Sequence, residues 1–522
     1  MGVQYCSMAR INAGDIRSSD NPNAATDTIF AGSKPQSREL TPLARAIAAE
    51  PAAPAISPIV LAGIVRIVEF LAIVATGALA FTLFVRPDVE AFAWHYLPAT
   101  LAIALAALIA LQIVEIYDVT AFRTRVYQLS RLASAWTVVF VLALAVTFFS
   151  RFEDTYSRAW ICAWYVAGLA VLMAGRLALT AMIRHWVREG RLVRRVIIVG
   201  GSREGETLVQ ALEAETDSDL RICGVFDDRS DQRSPPVVAG IPKLGTVDDL
   251  VEFTRRTRVD LILVSLPLTA EERVLQMVRK LWVLPVDVRL AAHMNRLRFR
   301  PRAYSYIGSV PVLDIFDRPI ADWNMVTKWL FDRVVGGLIL LAALPLMALI
   351  ALAIKLDSRG PVLFRQRRYG FNNDVIEVLK FRSLRHEQAD PNAARVVTKD
   401  DPRVTRVGRF IRKTSLDELP QFINVLRGEL SLVGPRPHAV AAHTANKLWE
   451  DVVDGYFARH RVKPGITGWA QINGWRGESD TPEKIQRRVE HDLYYIENWS
   501  LLFDVYIVMR TPFALLKAEN AY

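Results

Sequence analysis

Four long apolar segments, at about 59–85, 97–117, 132–149 and 160–183, dominate the early part of the chain. Each has the roughly 17–25 residues that carry a helix across a hydrocarbon core. Trp94, Tyr96, Tyr156 and Trp160 stand beside segment ends, where interfacial aromatic rings belong. The pattern then changes. Arg195-Val196-Ile197-Ile198-Val199-Gly200 reads as a buried strand entering a glycine turn, and 222–227, 260–266 and 286–290 read as further strands of an α/β sheet. A fifth apolar run, 334–354, has 21 uncharged residues; as a straight helix it measures ~32 Å. The pattern predicts a membrane protein: a four-helix transmembrane bundle, a Rossmann-like α/β module, and an α-rich domain entered through the fifth segment.

Basic residues orient the bundle. Arg38 and Arg45 precede the first segment, Arg123, Arg125 and Arg131 lie between the second and third, and Arg184, Arg188, Arg191, Arg194 and Arg195 follow the fourth. The other two loops mix arginines with Asp88, Glu90, Glu153 and Asp154. Both ends of the bundle therefore face the cytoplasm. Arg66, Glu115 and Arg176 fall inside the apolar segments, where snorkelling or pairing within the bundle is the expectation. The Ala-, Ser-, Pro- and Asn-rich stretch 1–57 is expected to be a disordered cytoplasmic tail without a signal-peptide core.

Composition narrows the class. Of 522 residues, 52% are hydrophobic and 23% charged, and the mean hydropathy of +0.19 excludes a purely soluble or secreted protein. The net charge of +10 suits an anionic membrane, anionic substrates or nucleic acid. Cys6, Cys162 and Cys223 lie too far apart for a disulfide framework or a zinc site.

The α/β turn Gly200-Gly201-Ser202-Arg203-Glu204-Gly205 has Ser202 where a dinucleotide fingerprint wants its second glycine, although Asp227 and Asp228 stand where a ribose ligand would. No Tyr-x-x-x-Lys follows, against a nucleotide-sugar reductase or epimerase. A regulatory or packing module is the expectation. In the fifth segment Pro345 lies at the middle and removes a backbone hydrogen bond. A kinked spanning helix and a helix–break–helix hairpin re-entering the cytoplasmic face both satisfy this run.

Residues 357–415 hold fourteen Lys/Arg against seven Asp/Glu. A basic face on anionic lipid and a phosphate-binding site both use such residues; the lack of interleaved aromatics argues against nucleic acid. Thr414-Ser415-Leu416-Asp417-Glu418-Leu419-Pro420-Gln421 follows. A capping box from Ser415 to Glu418 would put Pro420 at the fifth helical position, so a helix starting at Asp417 is the better reading. An acidic pair there, just after Arg409, Arg412 and Lys413, would be held ionised by the helix dipole and the cations. One carboxylate could then act as nucleophile while its neighbour binds Mg²⁺.

Lys380-Phe381-Arg382-Ser383, Ser415 to Gln421, Leu432-Val433-Gly434-Pro435-Arg436-Pro437 and Lys463-Pro464-Gly465-Ile466-Thr467-Gly468-Trp469-Ala470-Gln471 stand in order. This set resembles the bacterial sugar transferase family, the monotopic phosphoglycosyl transferases, over about residues 324–522. The upstream bundle and α/β module resemble the family's long polyprenyl glycosylphosphotransferase form. The resemblance implies transfer of a hexose-1-phosphate from a UDP-sugar to undecaprenyl phosphate, releasing UMP, as the first membrane step of exopolysaccharide synthesis. It further implies that Asp417 is the nucleophile, that Glu418 holds Mg²⁺, and that Arg412 contacts phosphate. Lys380, Arg382, Arg436 and Lys463 lie in motifs expected to line the site. The family's re-entrant helix favours the hairpin at Pro345, with Leu344 where the family often has Ser. Five regions result: tail 1–57, bundle 58–185, α/β module 190–320, re-entrant helix 324–356 and catalytic domain 357–522, with the catalytic face cytoplasmic at the bacterial inner membrane. A homodimer is implied by the same resemblance.

His438, His443, His460 and His491 are expected to be structural; His438 and His443 are five apart, off the same-face helical spacing. Ile472-Asn473-Gly474-Trp475-Arg476-Gly477-Glu478-Ser479 and Arg436-Pro437-His438-Ala439 are similar to the branch that transfers glucose-1-phosphate, with galactose-1-phosphate the competitor. The competing class is a non-enzymatic membrane sensor of nucleotide or lipid; the intact Asp417-Glu418 pair speaks against it.

Overall fold

Ser57 and Ser157 each place a side-chain oxygen over the first turn of a long apolar helix, accepting from Val60 and Trp160. In the computed structural model these begin α2 (Pro58–Phe84) and α5 (Arg158–Arg188), which pack with α3 (Ala93–Ile113) and α4 (Arg125–Phe149). The structure describes residues 39–50, 56–85, 93–114, 116–117, 125–149, 156–214, 220–229, 234–266, 271–291, 305–307, 310–385, 401–438, 443–444, 447–448, 456–475 and 481–517. Trp136, Trp160 and Trp164 are buried at the bundle centre, and the Trp160 and Trp164 indoles donate to the Gly77 and Ile73 carbonyls, both at 3.0 Å. Leu71, Leu79, Val141 and Leu142 point outward and are exposed, as lipid-facing positions are. Among the described residues five helices are long and apolar enough to cross a membrane: α2 to α5 and the helix of the fifth segment.

Arg176 pairs inside the bundle as expected, but with a carboxylate concealed in the first apolar run. Its guanidinium lies 2.7 Å from Glu69, which also accepts from the Tyr117 hydroxyl at 2.7 Å. Arg66 covers the same Tyr117 ring at 4.8 Å. Glu115 lies outside the described residues.

The stretch expected to be a disordered tail contains a helix, α1 (Pro42–Ala48), capped by Thr41. Leu40 and Ala44 are buried in the core of the α/β module, and the Thr41 hydroxyl donates to the Leu244 carbonyl at 2.8 Å. Burial of these two side chains is what the composition of 1–57 concealed.

In the α/β module, β1 (Arg194–Val199), β2 (Leu220–Phe226), β4 (Ile241–Gly245), β5 (Leu261–Val264) and β6 (Asp287–Ala291) run parallel in the order β4-β2-β1-β5-β6. The order reverses at β1, as in doubly wound nucleotide folds. Antiparallel β3 (Val237–Val238) extends one edge, and β8 (Val310–Phe316) with β7 (Ser305–Ile307) the other. Helices α6 (Arg203–Glu213), α7 (Val247–Arg256) and α8 (Glu271–Leu281) complete it. The carboxylates placed for a ribose are used internally. Asp227 is buried and accepts from the Gly201 and Arg229 amides, while Asp228 accepts from Val247.

The fifth segment forms α9 (Asp322–Asp357), a single 36-residue helical element with Pro345 inside it. Helical structure continues through the proline, so the expected break does not appear as two separate helices. Both ends of α9 are fixed to the same following domain. Near its start, Lys328 donates to Asp504 at 2.6 Å and to the Val433 carbonyl at 2.9 Å, and Asp332 accepts from Ser431 and Leu432. At its finish, Asp357 accepts from the Val407 amide, and the Arg382 guanidinium donates to the Ser358 and Arg359 carbonyls.

That domain is built from a β9 (Leu363–Tyr369)–β10 (Val375–Phe381) hairpin, α10 (Arg406–Lys413), α11 (Gln421–Arg427) and β11 (Ser431–Val433). A short pair, β12 (His443–Thr444) and β13 (Lys447–Leu448), comes next, then β14 (Gly465–Thr467), α12 (Trp469–Ile472), α13 (Pro482–Glu497) and α14 (Leu501–Lys517). Strand β14 runs parallel to β11, Ser431 opposite Gly465 and Val433 opposite Thr467. A Cβ on Gly434 would stand 2.5 Å from the Lys463 carbonyl oxygen, so the glycine permits this backbone contact. Two of the sequence motifs are thereby one structural unit.

Candidate active site

Asp417 and Glu418 occupy a 3-10 turn, Leu416–Glu418, not the first turn of a helix. Ser415 enters it in the left-handed region, with φ 58°, and makes no side-chain cap. Helix α11 begins only at Gln421, with Pro420 as its N-cap residue. The acidic pair therefore lies before the helix, with Pro420 between.

Strand β10 brings Lys380 to this turn. The fully buried Asn424 on α11 holds the strand, accepting from the Leu379 amide at 2.9 Å and donating to the Glu377 carbonyl at 2.8 Å. Lys380 then donates to Glu418 at 3.1 Å. From the loop after β11, Arg436 grips the same carboxylate with both guanidinium nitrogens, one at 3.2 Å. It also donates to Gln471 of α12 at 3.4 Å. A fork of this kind is the strong form of an arginine–carboxylate bond. The three side chains are only 12–18% exposed, so water screens them weakly.

Burial is the largest influence on Asp417 and pushes its carboxyl above the usual range; Lys380, Arg412 and Arg436 oppose this, and Glu418 adds to it. The expected dipole-stabilised pair is instead a desolvated pair held by cations. Burial likewise lowers Lys380, and holds Arg368 down at about 10, with Arg436 adding repulsion. Among the described residues, Lys380, Arg368, Arg412 and Arg436 all act on Asp417, and Lys380, Arg368 and Arg436 on Glu418 as well, so cations outnumber carboxylates here. That surplus favours anionic phosphates.

Of the residues singled out by sequence, Asp417, Glu418, Lys380, Arg412 and Arg436 are brought together. Arg382 and Lys463 are not. Arg382 is buried, and its guanidinium closes the end of α9. The Lys463 ammonium lies toward Gly428 and is influenced by Asp332, Arg333 and Lys328. Sequence reading passed over Arg368, Asn424 and Gln471. Arg368 was one of a basic run, Gln471 closed a quoted motif, and nothing local marked Asn424.

His438 bonds the Tyr456 hydroxyl at 2.9 Å and stacks on His460, ring centroids 5.3 Å apart. Burial holds both well below the usual histidine range, so they are neutral, structural rings. His460 also meets the Tyr456 ring edge-on. The His443 side chain, Ala439 and residues 476–479 lie outside the described residues.

A family profile described as bacterial sugar transferase matches residues 323–518. Over 461 residues the chain is 34% identical to the UDP-glucose:undecaprenyl-phosphate glucose-1-phosphate transferase of Xanthomonas campestris pv. campestris, covering 88% of this chain and 94% of that one. The chain belongs to the bacterial sugar transferase family. It is also 38% identical over 393 residues to the identically named Escherichia coli protein, covering 74% of this chain and 81% of that one. The exopolysaccharide production protein PSS of Rhizobium leguminosarum bv. phaseoli is 45% identical over 188 residues, 36% of this chain but 94% of that one. A second profile, described as a CoA-binding domain, matches residues 112–292 of this transferase.

Proposed function

We propose that this transferase moves glucose-1-phosphate from UDP-glucose to undecaprenyl phosphate and releases UMP. The Asp417–Glu418 turn set in a surplus of cations carries this reading, and the names of the two long relatives supply the substrates. An Asp417 carboxylate oxygen attacks the phosphorus that bears the sugar. The anhydride bond breaks and its bridging oxygen leaves with UMP, giving an acyl phosphate on Asp417. A phosphate oxygen of the lipid then attacks the same phosphorus, and the Asp417 carboxylate is restored. Arg436, Lys380 and Arg412 offset charge on the transferring phosphoryl group.

Mg²⁺ takes one or two carboxylates and keeps several waters; Glu418 would hold it, with substrate phosphates, on release from Lys380 and Arg436, which engage both of its oxygens. When bound, the ion would neutralise phosphate charge beside the leaving group.

In this reading α2 to α5 span the bacterial inner membrane, α9 re-enters the cytoplasmic face, and the catalytic domain is cytoplasmic. Attachment of both ends of α9 to one domain supports it, because a spanning helix delivers its ends to opposite sides. The test is to supply the purified protein with UDP-glucose or UDP-galactose, Mg²⁺ and undecaprenyl phosphate, and to measure UMP and lipid-phase sugar. UDP-glucose is expected to be the better donor; equal or better use of UDP-galactose contradicts the assignment of sugar.

A further inference from the structure

The α/β module touches the catalytic domain at the turn of the hairpin that supplies two of the site's cations. Strand β9 carries Arg368, β10 carries Lys380, and the turn between them runs from Gly370 to Asp374. Asn372 and Asn373 hold left-handed conformations there, with φ 54° and 62°. Asn372 donates its side-chain amide to the Thr254 carbonyl, at the end of α7, at 3.2 Å. The next residue, Arg255, stands 6.0 Å over the Phe457 ring, and its charge acts on both Asp374 and His460.

The contact continues inward. Asn373 bonds His460, which stacks on His438. The His438 carbonyl accepts from the Tyr369 amide at the end of β9, and its ring bonds Tyr456 at 2.9 Å. Arg459 joins Tyr456 at 2.8 Å to the Arg436 carbonyl at 2.9 Å, and Asp492 anchors it at 2.6 Å. A second strut comes from the other side of the module, where Arg461 donates to the Asp317 carbonyl at 3.0 Å. The segment Tyr456–Arg461 is thus held between the module and the loop that presents Arg436.

We propose that the α/β module positions the phosphate-binding cations of the transferase, through the Gly370–Asp374 turn and the His460–His438 stack, and so tunes affinity for the sugar nucleotide. The inference rests on the reading of Arg436 and Lys380 as phosphate ligands. Asn373, His460 and His438 are positioning residues in it.

The experiment uses the full-length protein, UDP-glucose, undecaprenyl phosphate and Mg²⁺. Arg255→Ala combined with Asn372→Gly removes the module's grip on the hairpin turn, leaving the Arg461–Asp317 strut in place, while glycine keeps the left-handed turn. KM for UDP-glucose is expected to rise roughly three- to tenfold, the scale of measured couplings between distant sites, with kcat within about twofold and an unchanged melting temperature. In a His460→Gln background the same pair should add less than about twofold, because the relay is already cut. An unchanged KM in the folded variant overturns the proposal, as does an undiminished effect in the His460→Gln background. If the pair fails to fold, Asn372→Gly alone is read by the same criteria. Absence of UMP release from the unaltered protein would count against the proposed reaction instead.

Discussion

Asn424→Ala is the substitution that most cleanly separates the site's scaffold from its chemistry. Asn424 is fully buried, touches no reacting group, and binds the strand that carries Lys380. Alanine strips the partner from the Leu379 amide, which lies in a residue only 6% exposed. An unsatisfied buried donor costs about 1–3 kcal/mol. The Glu377 carbonyl also loses its donor, but Glu377 is on an exposed position and water can replace part of that bond, so about 1 kcal/mol is assigned there. The sum is about 3 kcal/mol, a fall in melting temperature of roughly 6–12 °C for a domain of this size. The larger effect should be on activity. A strand released by even 1 Å moves Lys380 relative to Glu418, and misplacement on that scale costs on the order of a hundredfold in rate. Thermal unfolding of the detergent-solubilised protein and UMP release at saturating UDP-glucose are the assays. Glu429→Gln is the control: Asn424 also donates to Glu429, and glutamine retains an oxygen to accept that bond. A variant Asn424→Ala that melts and turns over like the unaltered protein refutes the claim that this residue sets the position of Lys380.

The remaining expectations concern charge and topology. Asp417 must be ionised to attack, and burial raises its pKa above 3.8, so the rate of the first half-reaction should rise with pH through that higher value. The linkage has the opposite sign for stability: the contribution of Asp417 is full below pH 3.8 and is lost as pH rises through its folded pKa. Lys380 is the strongest opposing influence, so Lys380→Met should move the acid limb of the pH–rate profile to higher pH; movement to lower pH contradicts the electrostatics. For topology, cysteines introduced at Ala321 and Arg359 in a protein lacking Cys6, Cys162 and Cys223 should both resist a membrane-impermeant reagent added to intact cells, and labelling at Arg359 alone would show that α9 spans.

The apolar segments were legible because lipid exposure forces long uncharged runs, and all four upstream helices overlap the ranges read from sequence. The central strands were legible for a similar reason: a parallel sheet buried on both faces requires continuous Val/Ile/Leu runs, such as β1 and β5. Glu69 escaped notice because one carboxylate barely alters a long apolar stretch, yet its partner Arg176 is over a hundred residues away. The acidic pair was found, but its local structure was not. Whether Pro420 sits inside a helix or caps one depends on how α11 packs against β10, which no local rule supplies. Arg382 and Lys463 were assigned by motif membership, and a motif can be retained for the fold as readily as for the ligand. In this protein Arg382 closes α9, and Lys463 precedes β14, its carbonyl packed against Gly434. Asn424 shows the limit most plainly: its function lies in contacts 45 and 47 residues distant, invisible to any spacing rule.

The measurement that bears most directly on the central claim is a trapping experiment without the lipid acceptor. Purified protein is mixed with Mg²⁺ and UDP-glucose labelled in the phosphate attached to glucose, then quenched, digested and mapped. The expected result is one equivalent of UMP released and label on the peptide containing Asp417, chased off by undecaprenyl phosphate and absent from Asp417→Asn. Transfer that requires both substrates together and leaves no labelled peptide, or undiminished turnover by Asp417→Asn, would contradict a covalent mechanism at this site.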